Sequence, residues 1–300
     1  MDNDFSNLQK KLNLGKFIFT AETSPPDSSN PKVVLDRVKS LIDVADAINV
    51  TDGAGAMAHM SAFATAVTLS RNGIDPILQI TLRDRNRIAI QGDLIGASSL
   101  GIHNILCLHG DSPTAGDQPE AKGVYDLDTK ELINMARTMR DKGCYPSGRK
   151  IDHAPEIFIG AADMPHKPQK GYEPKSMQAK IDAGAGFFQT QYAFDIDVLK
   201  SYMSMLNDFG ICEKAYMLIG LGPFPSAKSA RWMNDNLKGV NVPETIIQRL
   251  ESSKDPKEES KKICLELIEQ YREIKGIHGV HLMGPKQENA ISSIIKEASL

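Results

Sequence analysis

The sequence predicts an α/β fold, a single (β/α)8 TIM barrel forming one catalytic domain over residues 1–300. Three observations carry that prediction. Eight short apolar runs alternate with longer amphipathic stretches, the pattern of parallel strands joined by helices. The length of 300 residues suits a barrel built as one domain. The first strand leads into Glu22-Thr-Ser-Pro-Pro26 and not into the G-x-G-x-x-G turn of a doubly wound dinucleotide fold. Two prolines stop the strand there and fix the loop.

The elements follow in order. Phe17–Thr23 reads as the first strand, and Pro31 to Val44 carries Val34, Leu35, Val38, Leu41 and Ile42 at helical spacing. Pro31 suits the first helical position, where its missing N–H costs nothing. Ala47–Thr51 precedes a helix over Ser61–Arg71, Ile77–Thr81 precedes Asn86–Leu100, and Asn104–Leu108 precedes a long polar loop and then Asp128–Lys142. Ile157–Ala161 leads to Ser176–Ala183, Phe187–Gln191 to Asp195–Phe209, Lys214–Ile219 to Ser226–Asn236, and Gly279–Leu282 to Gln287–Ala298. Two stretches fall outside this repeat. Asp111–Asp128 is long enough to suggest function, and Glu251–Glu259 is a charged insertion, read as a solvated connection, before a helix over Ser260–Ile274.

Composition narrows the function. The net charge of −3 comes with no basic stripe, which argues against nucleic-acid binding. The N-terminal MDNDFSNLQKKLNLGK lacks the apolar run of a signal peptide and nothing later is apolar over ~18 residues, so a cytoplasmic protein without a membrane partner is expected. Cys107, Cys144, Cys212 and Cys264 are far apart with no C-x-x-C pairing, so no metal site is expected, and Cys107 reads as a buried strand residue.

A barrel places its chemistry at the C-terminal ends of its strands. The polar residues there are Glu22, Thr51, Asp52, Gln79, Thr81, His109, Asp111, Asp163, His166, Gln189 and Gln191. Alternation puts Phe17, Phe19 and Ala21 on one face of the first strand and Ile18, Thr20 and Glu22 on the other; both are largely apolar, so either could line the barrel. A carboxyl group in an apolar mouth loses solvation, its pKa rises, and it becomes a proton donor near neutral pH. The plainer alternative is a strand-end glutamate paired with a lysine or arginine. Gly110 permits close backbone approach and aims Asp111 as an acceptor, although Asp-Ser-Pro is also a common turn formula. The amide of Gln191 donates and accepts at once, which suits a heteroaromatic ligand, or else it ties the strand end to a loop. His166 and Lys180 are candidates for phosphate contacts. In Arg83-Asp-Arg-Asn86, Asn86 is a helix N-cap, and the arginines either meet an anion there or are solvated beside the cap.

The ordered motifs ETSPP, INVTDG, ILQITLRDRNR, NILCLHGD and KIDAGAGFFQTQ resemble the methylenetetrahydrofolate reductase family from about Lys16 to Leu300. The resemblance implies a barrel with a flavin, FAD with FMN left open, that reduces 5,10-methylenetetrahydrofolate to 5-methyltetrahydrofolate. It implies Glu22 as the acid, Asp111 as the carboxylate that binds the pterin and tunes the flavin, and Gln191 as a folate contact. Thr51, Gln79, His109, Gly110, Asp111, His166 and Lys180 match flavin-binding positions. Gln79 stands where many members have histidine, and His109 where many have arginine. Ala162 falls where some have tyrosine, and Ala227 where a folate-stacking phenylalanine is found, with Phe224 as its substitute. The implied electron donor is NAD(P)H or a partner redox protein of ferredoxin-linked type. A homo-oligomer and a partner subunit both remain open. Because the chain ends with the barrel, no eukaryotic-type regulatory domain is expected. A folate-binding methyltransferase or accessory subunit on the same barrel is the competing reading.

Overall fold

The computed structural model describes residues 4–300; the first three residues of the N-terminal stretch lie outside it. Eight parallel strands close into a barrel in sequence order, with the eighth pairing back onto the first. They are β1 Ile18–Thr23, β2 Ala47–Val50, β3 Pro76–Thr81, β4 Asn104–Leu108, β5 Phe158–Asp163, β6 Phe187–Tyr192, β7 Tyr216–Leu221 and β8 Ile277–Leu282. All eight expected strand-and-helix units are present.

The helices are α1 Asn7–Asn13, α2 Pro31–Val38, α3 Ala62–Ser70, α4 Arg87–Ser99, α5 Thr129–Lys142, α6 Lys175–Ala183, α7 Ile196–Asp208, α8 Ala227–Asn236, α9 Glu244–Ser252, α10 Pro256–Arg272 and α11 Glu288–Ala298. Local sequence sets many of their starts. Asn86 caps α4 by accepting the N–H groups of Ile88 and Ala89, and Asp128 and Glu131 close a reciprocal capping box on α5.

Three readings change. The second helix stops at Val38, well before Val44, and Leu41 packs from a turn. The charged stretch 251–259 is not one connection. It holds the end of α9 and the start of α10, and Arg249 of α9 pairs with Glu259 and Glu266 of α10. The N-terminal helix α1 has only two buried positions, Leu8 and Leu12, too few for a periodicity to register.

Helix α1 nevertheless closes the barrel's base. Leu8 and Leu12 pack with the inward residues Ile18, Ala47, Ile77, Leu106, Phe158, Phe187 and Leu218. Phe187 fits because β5 carries Gly160 beside it; a Cβ there would stand 2.2 Å from the ring. The inward face of β1 is therefore Ile18, Thr20 and Glu22, while Phe19 and Ala21 face the surrounding helices. Cys107 is buried in β4 as expected, and burial pushes its thiol up to about 12.

Asp75 ties α1 to β3, accepting the Leu8 N–H at 2.9 Å and the Asn104 amide at 2.7 Å. Burial, opposed by these hydrogen bonds and by His103 and Lys11, raises its pKa from 3.8 to about 6. A carboxyl group whose folded pKa is raised contributes most below its unfolded pKa, and that contribution is lost as pH rises through the folded value. The stability of Asp75→Asn relative to wild type should therefore increase between about pH 4 and about pH 7. Urea midpoints across that range test this, and a constant difference would show that Asp75 does not titrate in the window.

Candidate active site

Above the apolar base, four inward side chains cross the barrel. Asn49 Nδ2 donates to Gln189 Oε1 at 2.6 Å, and Gln189 Nε2 donates to Asn49 Oδ1 at 2.9 Å. Gln189 Nε2 also lies 3.1 Å from Thr20 Oγ1, which is 3.0 Å from His281 Nδ1. All four residues are buried. This layer is the floor of a cavity of about 530 Å³ at the C-terminal mouth.

The cavity gathers Glu22, Thr51, Gln79, His109, Gly110, Asp111 and Gln191, all expected at the site. Glu22 Oε2 accepts from Gln79 Nε2 at 3.1 Å and faces His281 Nε2 at 3.7 Å. The apolar surroundings expected of Glu22 are thus replaced by an amide and an imidazole. Neither a lysine nor an arginine pairs with it among the described residues. Gln191 spends its Oε1 on the N–H of Tyr192, at 3.0 Å, which leaves its Nε2 hydrogens for a ligand. Thr51 Oγ1 is buried with no hydrogen-bond partner. Leu106, Leu108, Ala162 and Met283 supply the apolar wall.

The β4 corner is held from two sides. Gly110 has φ +87°, and a Cβ there would come within 3.0 Å of Thr81 and 3.3 Å of Arg83. Its glycine is explained by the approach of β3 as much as by a ligand. The loop from Asp111 folds back, so that Tyr125 stacks on His109 at 4.8 Å and its hydroxyl donates to the Asp111 carbonyl. The Asp111 carboxylate stays exposed to the cavity.

The arginines do not wait for an anion. Arg83 forks onto Asp84 and donates to the Gly53 carbonyl, and Arg85 pairs with Asp52 and Asp93. Asp52 also accepts the backbone N–H and hydroxyl of Thr81, so these charges brace the β2 and β3 loops.

His166 and Lys180 do not line this cavity. Lys180 Nζ donates to the carbonyl of Ala162, itself on the cavity wall, at 2.8 Å, so the two lie one step behind it. His166 packs on Tyr172 and Tyr202, and the Tyr202 hydroxyl donates to Asp163. Burial raises the Asp163 carboxyl, against the hydrogen bond from Tyr202 and the charge of Lys180; burial lowers the Lys180 ammonium, against Asp163. The expectation for Phe224 is corrected. It is 1% exposed, with its ring 4.5 Å from Phe194, and does not reach the mouth. The run after β7 turns it into the core behind the barrel wall. Asn49 and His281 were missed, although strict alternation from Gly279 would have placed His281 on the inward face.

A closed parallel barrel whose mouth gathers carboxylates, amides and imidazoles above a sealed floor has the layout of a barrel enzyme. The chain belongs to the methylenetetrahydrofolate reductase family, whose profile matches residues 7–299. It is 24% identical over 265 residues to "Methylenetetrahydrofolate reductase 2" of Schizosaccharomyces pombe, covering 82% of this chain and 39% of that protein. It is 25% identical over 236 residues to "Probable methylenetetrahydrofolate reductase (NADPH)" of Caenorhabditis elegans, covering 76% and 33%. The chain therefore spans well under half the length of these relatives. Among solved structures, a Mycobacterium tuberculosis tryptophan synthase chain superposes with a TM-score of 0.52 at 8% identity, covering 97% of this chain and 96% of that one, a likeness of fold alone. Among the described residues no helix is long and apolar enough to cross a membrane, and no group of three or more His, Cys, Asp or Glu is placed to hold a metal ion.

The floor network supplies a stability test. Gln189→Leu strands the Asn49 amide in a buried site, and an unsatisfied buried polar group costs about 1–3 kcal/mol. A urea midpoint lowered to that extent is expected; an unchanged midpoint would mean that the network does not hold the barrel.

Proposed function

We propose that this barrel is the catalytic domain of a flavin-dependent reductase that converts 5,10-methylenetetrahydrofolate to 5-methyltetrahydrofolate. The observation that carries the reading is the convergence of Glu22, Asp111, Gln191 and Thr51, whose buried hydroxyl has no partner, on one cavity. A buried hydroxyl without a partner is unusual, and a polar ligand atom would satisfy it.

The residues fit FAD. Thr51, His109, Gly110 and Asp111 would hold it at the mouth; His166 and Lys180 stand behind the wall. FMN would use the same mouth. Bound there, a flavin would supply the hydride chemistry. Glu22 gives a proton to the folate nitrogen that departs when the one-carbon bridge opens. Asp111 accepts hydrogen bonds from the pterin, and the free Nε2 of Gln191 donates to it. Hydride and proton together convert the bridged folate to the methyl form. Reduced nicotinamide is the donor we assign, in keeping with the relative named for NADPH; a reduced partner protein is the alternative.

The isolated protein should be yellow, and either NAD(P)H or a reduced ferredoxin should bleach it. In Glu22→Gln, reoxidation of the reduced flavin by methylenetetrahydrofolate should slow by about 10²–10⁴-fold, while flavin reduction proceeds as in wild type. Stopped-flow absorbance separates the two half-reactions, and equal slowing of both would remove Glu22 as the acid. Folate binding by a protein that takes up no flavin would favour the competing methyltransferase or accessory reading.

A second test uses the orphan hydroxyl. Thr51→Val should leave the stability of the flavin-free protein within about 0.5 kcal/mol of wild type, because no hydrogen bond of the protein is lost. FAD affinity should fall by about tenfold, one hydrogen bond's worth. Fluorescence titration with FAD measures this; an unchanged Kd would place the flavin elsewhere.

A further inference from the structure

The layer beneath the cavity leaves His281 one neutral tautomer. Each hydrogen of the Asn49–Gln189 amide pair that faces the partner amide is used in that pair. The remaining hydrogen of Gln189 Nε2 points at Thr20 Oγ1, 3.1 Å away, and His281 Nδ1, 3.3 Å away. The Thr20 hydroxyl, already an acceptor, has His281 Nδ1 as its own acceptor at 3.0 Å. Gln189 Nε2 is thus a donor beside Nδ1, and the Thr20 hydroxyl donates to Nδ1 when the ring hydrogen is on Nε2. A hydrogen on Nδ1 would face the Gln189 amide hydrogens, so the ring carries it on Nε2.

That Nε2 looks up at Glu22 Oε2 from 3.7 Å, somewhat beyond hydrogen-bond length. The same oxygen accepts Gln79 Nε2 at 3.1 Å. Two N–H groups from β3 and β8 thus converge on one oxygen of the carboxyl group.

We propose that His281 and Gln79 are positioning residues that make the two oxygens of Glu22 unequal: Oε2 is held by N–H donors of the barrel wall, and Oε1 carries and delivers the proton. The inference rests on the reading of Glu22 as the acid. A proton on Oε2 would meet the Gln79 amide hydrogens and turn toward the His281 N–H, so Oε1 is the better seat. The acid form is then protonated on Oε1.

The network also sets the direction of proton supply. His281 is 3% exposed, and the groups behind it are two amides and a hydroxyl, none of which is an acid at neutral pH. His281 holds Glu22 and does not feed it. After giving one proton to the departing folate nitrogen, Glu22 regains one from the solvent side. The other groups facing Glu22 are Asp52, Arg83, His109 and Asp111 around the same cavity, the Tyr192 phenol, raised by burial and then by the charge of Glu22, and five charged or titratable groups across an adjoining cleft. These five are Asp27, Arg37, His59, Lys286 and Glu288. All remain in place in the variants below.

The test uses the flavin-loaded enzyme and the pH profile of flavin reoxidation by methylenetetrahydrofolate. N–H donors to a carboxylate favour its ionised form, so removing one should move the acid limb to higher pH. His281→Leu should show that shift, and so should Gln79→Leu, which leaves the buried floor intact. His281→Gln, which keeps an N–H near the Nε2 position, should retain the wild-type limb. Flavin reduction should be unmoved in the two His281 variants. Heteronuclear NMR of histidine-labelled enzyme should show His281, assigned by the signal lost in His281→Gln, protonated on Nε2 only. A hydrogen on Nδ1, a doubly protonated ring at neutral pH, or the same limb in His281→Leu and His281→Gln would overturn the inference. A Glu22→Gln enzyme with no reoxidation defect would overturn the reading beneath it, whereas a Glu22→Gln defect with a limb that neither leucine variant moves overturns the inference alone.

Discussion

Thr20, Asn49, Gln189 and His281 come from β1, β2, β6 and β8, and they meet only because the sheet closes. Closure forces alternate side chains into a lumen that must be filled. In this barrel the lowest layer is filled with leucine, isoleucine, alanine and phenylalanine, and the next with hydrogen-bonded polar groups. Buried amides are costly unless paired, so each must sit where its partner is. The polar layer therefore fixes the relative positions of four strands and gives the cavity a floor that does not yield.

What stands on that floor inherits its rigidity. Glu22 and Gln79 are each one inward step above the polar and apolar layers on their strands, and His281 belongs to the floor itself. The rim is braced differently, by charge. Asp52 collects Thr81 and Arg85, and Arg83 spans Asp84 and the Gly53 carbonyl. Arg83 is buried, so its pairing within the rim matters more than that of exposed pairs such as Arg231 with Glu244 and Glu251. The loop after β4 is then packed onto this brace through Tyr125 and His109.

The fold by itself says little about chemistry. A tryptophan synthase chain shares the architecture at 8% identity, and barrels host many reactions on the same frame. The distinguishing features are local: a carboxyl group with one oxygen committed to the wall, a second carboxylate open to the cavity, an amide with free donors, and a hydroxyl lacking a partner. Gln79, which departs from the histidine that the family resemblance implies, presents an N–H donor toward Glu22. The departure is thus smaller in chemistry than in residue name.

The sequence by itself determined the strands, most of the helix starts and the end of the barrel at which polar residues gather. Those features depend on neighbours a few residues apart: Asn86 and Asp128 cap their own helices, and the double proline after Glu22 ends its own strand. The short helix α1 escaped because two leucines in seven residues carry too little periodicity. Only the tertiary structure decided which face of β1 turns inward, since both faces are apolar enough to be buried and the choice is made by the strands on either side. It alone sent Phe224 into the core against Phe194, set His166 and Lys180 behind the wall, and brought His281 under Glu22 across 259 positions of chain. Such contacts follow from register and closure, which couple residues far apart in sequence and leave no local pattern to read.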